Sequence, residues 1–389
     1  MDKLQHNFAK LLRETTSAFY RYMYERIHWD ARMIGLTGPR GVGKTTMILQ
    51  HIKNRLNPAE TLYVTAEDFY FAENKLLDLA DNFVKMGGKN LFIDEIHKYK
   101  EWSRELKLIY DYHPELKVVF TGSSVLDINK GVSDLSRRAV MYHMQGLSFR
   151  EYLELFHKII MPTYNLQDIL THKVELPIGF KPLAYWGNYL KHGYYPFSVD
   201  TDFEVRLIQI INQTIETDIP IYGDMNISTA RKLKQLLSII SRSVPFNPNI
   251  SSIATALGSS RNSIADYLLY IEEAGLIAQL RDATGGIKGL RKVDKVYLDN
   301  TNLIYTLTTE RTDIGNVRET VFVNQLRVEN DLITSKVSDF MIDDMTFEIG
   351  GKSKGQKQLK GIEKGFVVKD DIESGYANII PLWMVGLNY

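Results

Sequence analysis

The chain has 389 residues, room for two or three domains at about 150 residues each. Hydrophobic residues make up 44% and charged residues 24%, the balance of a chain that buries cores and does not stay disordered. Forty-seven Lys and Arg offset forty-seven Asp and Glu, which excludes coating nucleic acid by bulk charge; the absence of cysteine excludes disulfides, zinc thiolate sites and cysteine nucleophiles.

The first six residues hold no apolar leader, and no uninterrupted apolar run approaches the ~18 residues of a membrane span, so a cytoplasmic protein with no membrane partner is expected. Phe8, Leu11, Leu12, Thr15, Phe19, Tyr22, Met23 and Arg26 recur at three- and four-residue steps, predicting helix through the first 30 residues. From Met33 short apolar runs alternate with helical stretches, the pattern of a parallel α/β domain, with strands over 33–36, 62–65, 91–94, 118–121 and 139–144. Residues 151–226 read as a helical connector. Its aromatics Tyr185, Trp186, Tyr189, Tyr194 and Tyr195 are expected to form a core and not a ligand box.

A second pattern runs over 227–300: helices at 230–244, 251–257 and 261–274, then strands at 276–280 and 293–298 around a loop. Three helices and a two-stranded wing are the order of a winged helix-turn-helix. Residues 301–389 mix a helix around 319–328 with short strands, the last over 379–385. The expected architecture is therefore an α/β P-loop domain at 1–150, a connector, a winged helix and a small α/β C-terminal domain.

Gly38-Pro39-Arg40-Gly41-Val42-Gly43-Lys44-Thr45 matches G-x-x-x-x-G-K-[ST] at every fixed position. Glycines let backbone N–H groups turn toward a phosphate, Lys44 offers a point charge to the β- and γ-phosphates, and the Thr45 hydroxyl can ligate Mg²⁺. A helix over 44–56 follows, its N-terminal dipole favouring an anion, so residues Gly38 to Thr46 are the expected ATP-binding set. The strand Leu91-Phe92-Ile93 then ends in Asp94, suited to hold Mg²⁺ through water, and Glu95, suited to activate the attacking water. Another strand ends in Thr121-Gly122-Ser123-Ser124, where Thr121 or Ser123 could sense the γ-phosphate or cap a helix. Arg137 and Arg138 precede the fifth strand. An arginine there could reach the transition-state charge of its own or a neighbouring subunit, or lie on a solvated surface.

With these motifs and Gly146-Leu147-Ser148-Phe149-Arg150-Glu151-Tyr152-Leu153, the chain resembles a prokaryotic AAA-type P-loop ATPase family. Its members carry a C-terminal winged helix and a restriction-endonuclease-like domain of uncharacterised function. The resemblance implies a sensor strand between the phosphate-loop strand and the Asp94 strand, and Arg138 at the family's arginine. It also matches Glu319, Asp339 and Glu348 to the acidic positions of the nuclease core. Where that core has a lysine two residues after Glu348, this chain has Gly350, with Lys352 two further on.

Arg261 and Asn262 open the candidate recognition helix, and Lys288, Arg291, Lys292 and Lys295 lie on or beside the wing, which suits DNA. Asp266, Glu272 and Glu273 on the same helix repel phosphate, which suits a protein partner. The six lysines between 352 and 369 read as a solvated face. The resulting expectation is Mg-dependent ATP hydrolysis that moves the C-terminal half, in a chain that could assemble with copies of itself. A nucleotide-gated switch with little turnover, and a DNA-binding regulator or residual nuclease, fit the same residues.

Overall fold

A computed structural model describes residues 2–122, 135–220, 225–242, 249–282, 293–308 and 312–389. The chain divides into two compact units, Met1–Gly146 and Leu147–Tyr389.

In the first unit, α1 (Asp2–Glu14) and α2 (Met23–Arg26) precede β1 (Met33–Thr37), α3 (Lys44–Arg55), β2 (Thr61–Thr65), α4 (Leu76–Lys85), β3 (Asn90–Asp94), α5 (Trp102–Tyr112), β4 (Lys117–Gly122) and β5 (Val140–His143). The five strands are all parallel and run in the order β2-β3-β4-β1-β5. β4 thus lies between β1 and β3, where the family resemblance puts the sensor strand. Strand-end chemistry gathers at one edge, because every parallel strand delivers its carboxyl end there.

Burial explains why these runs are strands. All five residues of β1 are buried, as are Leu91 to Asp94 in β3, so the runs are continuously apolar where a one-faced sheet would alternate. α4 places Leu76, Leu79, Ala80 and Phe83 on one buried stripe beside Leu106 and Ile109 of α5. Each leucine so buried contributes about 1.5–3 kcal/mol.

The single helix expected through residue 30 is not formed: α1 ends at Glu14. Thr15 turns its hydroxyl back to the Leu11 carbonyl at 2.8 Å, and side chains of α3 then capture the backbone that follows. Lys53 donates to the Thr15 carbonyl at 2.6 Å, and Gln50 to the carbonyls of Thr16 at 2.8 Å and Phe19 at 2.9 Å. Those carbonyls would be spent inside a helix. Tertiary hydrogen bonds override the periodicity.

In the second unit the helices Ile227–Arg242, Ile250–Ala256 and Arg261–Glu273 precede β6 (Ile277–Arg281) and β7 (Val293–Leu298), an antiparallel pair. Residues 283–292, and with them Lys288, Arg291 and Lys292, lie outside the described residues. Strands β8 (Leu332–Thr334), β9 (Phe340–Ile342), β10 (Met345–Gly350), β11 (Gly365–Lys369) and β12 (Ile379–Pro381) form a mixed sheet, antiparallel from β8 to β10 and parallel from β10 to β12. The strand expected to run to residue 385 stops at Pro381, which has no N–H to continue a ladder; Leu382–Leu387 is a tight helical turn. Trp186, Tyr189, Tyr194 and Tyr195 are buried, with Phe149 stacked edge-on against Trp186 at 5.0 Å between centroids, a packed core.

Candidate nucleotide-binding site

The phosphate loop leaves β1 at Thr37 and enters α3 at Lys44. Gly38, Gly41 and Gly43 take φ of +144°, +78° and +97°. Gly38 is also a close approach, since a Cβ there would stand 2.2 Å from the Met144 carbonyl oxygen. Gly43 caps α3 without a side-chain acceptor, so the first-turn N–H groups and the helix dipole are directed into the loop. Pro39 and Val42 are buried beneath it, Arg40 and Thr45 are half-buried, and Thr46 is exposed.

Lys44 is 5% exposed and donates from Nζ to the carbonyl oxygens of Gly38 at 2.7 Å and Pro39 at 2.9 Å. Burial lowers its pKa to about 8, against the opposing pull of Glu95 and Asp94.

Asp94, at the carboxyl end of β3, is the hub. Its Oδ2 accepts from the Thr45 hydroxyl at 2.6 Å and from the Tyr63 hydroxyl at 2.8 Å. Its Oδ1 accepts from the Thr121 hydroxyl and from the Glu95 N–H at 3.2 Å. Four elements therefore converge on one carboxylate: α3, β2, β4 and the turn after β3. Tyr63 is absent from the sequence-derived set. It reaches Asp94 because β2 pairs with β3 in a register that sets Tyr63 opposite Phe92 and Thr65 opposite Asp94.

Glu95 stands in the left-handed region, φ 51° and ψ 42°, a conformation that costs a non-glycine residue about 1–2 kcal/mol. That twist lets its N–H serve both Asp94 and Thr121 Oγ1, each at 3.2 Å. Its carboxylate oxygen lies 3.4 Å from His97 Nδ1. Ser123 and Ser124 fall outside the described residues. A carboxylate, a hydroxyl and an adjacent phosphate position fit Mg²⁺, which prefers hard oxygen donors and keeps much of its water. Among the described residues no group of three or more His, Cys, Asp or Glu is set to hold a metal alone, so phosphate oxygens would have to complete the shell.

Arg138 is elsewhere. β5 begins at Val140, opposite Ile34, so Arg138 lies beyond the amino end of β1, whereas the loop follows the carboxyl end. Its guanidinium meets the Asp111 carboxylate at 3.0 and 2.9 Å and lies over the Tyr110 ring.

In the second unit Glu319, Asp339 and Glu348 do come near one another. Burial foremost raises the pKa of Glu319 and Asp339, and Glu348 adds to both shifts. The lysine beside them is not Lys352. Lys354 folds back over Gly350, its Cβ, Cγ and Cδ lying 2.5–2.7 Å from where a Cβ at 350 would stand, and its Nζ pairs with Glu348. Lys295 likewise turns inward, 3.8 Å from Glu319 and over the Phe340 ring.

Residues 30–153 match a family model described as an AAA domain. Residues 184–313 match a second model, described as a domain of unknown function. An uncharacterized protein of Methanocaldococcus jannaschii is 25% identical over 287 residues, covering 68% of this chain. The chain spans 60% of that relative's length. Among solved structures, C. elegans PCH-2 is 15% identical with a TM-score of 0.26, over 69% of this chain and 68% of that one. The S. cerevisiae Hsp104–ADP complex is 17% identical with a TM-score of 0.27, over 70% of this chain and 39% of that one. The AAA match falls on the parallel sheet of five strands that carries the phosphate loop, and supports an AAA-type P-loop domain there. No helix among the described residues is long and apolar enough to cross a membrane.

Proposed function

We propose that the first unit binds Mg-ATP at Gly38 to Thr46 and hydrolyses it, and that the cycle drives a conformational change in the second unit. The observation that carries this reading is the convergence of Thr45, Thr121 and the Glu95 N–H on Asp94, beside a loop whose glycines and Lys44 suit a triphosphate. Backbone N–H groups and Lys44 hold the phosphates. Asp94 and Thr45 hold Mg²⁺, which when bound neutralises charge on the β- and γ-phosphates. Glu95 orients a water in line with the γ-phosphorus and takes its proton. Thr121, already joined to Asp94 and the Glu95 N–H, links the sensor strand to that water.

Steady-state ATP turnover of the full chain tests this. Glu95→Gln should keep ATP binding and lose turnover by at least about a hundredfold, the scale of a general base. Lys44→Ala should weaken binding as well. Turnover retained in both variants would reject the assignment. The same assay with duplex DNA present addresses the winged-helix reading: stimulation lost in Arg261→Ala would make the partner DNA, and an unchanged rate would favour a protein.

A further inference from the structure

Arg21 is 4% exposed in the segment between α1 and α2, and its guanidinium is spent on backbone carbonyls. Nη1 donates to the Val42 carbonyl inside the phosphate loop. Nη2 donates to Gln145 at 2.7 Å and to Gly146 at 2.8 Å, the last residues of the first unit. Around it the same two segments meet again. The Met144 N–H donates to the Thr37 carbonyl at 2.9 Å, Gly38 lies against the Met144 carbonyl, and the Gln145 N–H donates to the Tyr22 hydroxyl at 3.2 Å.

The covalent geometry of the loop gives this arrangement a direction. The Val42 carbonyl and the Gly43 N–H belong to one planar peptide unit. An N–H of this loop is what a bound phosphate draws inward, so any rotation or polarisation of that plane is felt by Arg21 on its other side. Charge-assisted bonds from one rigid, planar guanidinium then carry the change to residues 145 and 146. We propose that Arg21 is a positioning residue that couples occupancy of the phosphate loop to the segment 144–146, through which the chain passes into Leu147. The proposal rests on the loop binding nucleotide, and supplies the link that the cycle requires.

Hydrogen exchange over residues 141–150 of the full chain tests it, with and without Mg-ATP in a Glu95→Gln background. Occupancy is set independently by titrating a fluorescent ATP analogue. With Arg21 present, ATP should alter exchange at 144–148. In Arg21→Lys, whose single ammonium cannot hold all three carbonyls in one plane, nucleotide should still saturate the loop while at least about half of that change is lost. Arg21→Gln serves if the lysine variant does not fold, and Tyr22→Phe, which leaves Arg21 in place, should keep most of the response. An equal change in a fully occupied Arg21 variant overturns the coupling. So does wild-type Arg21 with saturated nucleotide and no change at 144–148. Failure of the analogue to bind at all rejects the nucleotide site itself, and is read in the titration before any exchange is measured.

Discussion

Lys44 holds its ammonium among the loop carbonyls with a pKa lowered to about 8, and a bound phosphate would favour the charged form and raise that value. The sign of the pH dependence follows. Below about pH 8 the lysine is charged with or without nucleotide and affinity is flat. Above it the empty loop loses the proton first, so binding must restore it, and affinity falls by up to about tenfold per pH unit until the bound-state pKa is reached. Titrating an ATP analogue from about pH 7 to about pH 9.5 checks this, and Lys44→Met should bind weakly without the bend. The same shift acts on folding. The buried charge disfavours the fold below about 8, and that cost is relieved as pH climbs toward the ordinary lysine value of 10.5. At this scale Lys44, Thr45, Asp94 and Glu95 were legible because their chemistry depends on spacing along the chain. Tyr63 was not, because a tyrosine in an apolar run reads as a strand former, and only the β2–β3 register brings its hydroxyl to Asp94.

At the end of β10, the residue that pairs with Glu348 was not legible in the sequence for a related reason. The resemblance asks for a lysine at 350, where this chain has glycine; the strand ends at Gly350, and the chain turns so that Lys354 lies over that glycine. A glycine is needed there because the lysine stem takes the space of its Cβ. Gly350→Ala should therefore push Lys354 off Glu348, leaving that carboxylate with the Ser338 hydroxyl, and lower stability in urea unfolding by roughly 1–3 kcal/mol, the range for a buried group that loses a hydrogen-bonding partner. Lys354→Met, which removes the same ion, gives the comparison: a clearly smaller loss for the alanine would mean that the stem moves without breaking the pair. Nearby, Glu319 and Asp339 have folded pKa values raised by burial and by neighbouring acids. Their contribution is therefore fully present below the unfolded values of 4.5 and 3.8 and is lost as pH rises through the raised folded values. Glu319→Gln keeps an acceptor for the Tyr297 hydroxyl, 2.7 Å away, without the charge. Unfolding at acid and at neutral pH should show this variant gaining on the wild type as pH rises. Parallel stability profiles would mean that Glu319 ionises alike in the folded and unfolded chain, and that its folded pKa is not raised.

Across the molecule, the alternation of strand and helix was enough to forecast the first sheet, since β1 to β4 are buried almost throughout and announce themselves as apolar runs, while β5 at the edge is more exposed. The place of β4 between β1 and β3 followed from the family resemblance alone; the rest of the strand order was not forecast. The further divisions expected at 226 and 300 fall inside the second unit, where contacts between distant segments, absent from local pattern, decide what is compact. Arg138 belongs to this scale too. It lies just before β5, at the end of the sheet opposite the phosphate loop, separated from the loop-side end of that strand by five residues, roughly 16 Å of extended chain. Its own site is out of reach in this arrangement, so a role in hydrolysis requires a second copy of the chain that turns this edge toward its neighbour's loop. Asp111 holds the guanidinium in place, and would have to share it. The expected outcome is that Arg138→Ala and Lys44→Ala are each inactive alone, yet recover about a quarter of the wild-type rate when mixed in equal amounts. Random pairing puts an intact loop against an intact arginine at one junction in four. Full turnover in Arg138→Ala alone would instead make the Asp111 pair a tie between α5 and β5, with no part in the reaction.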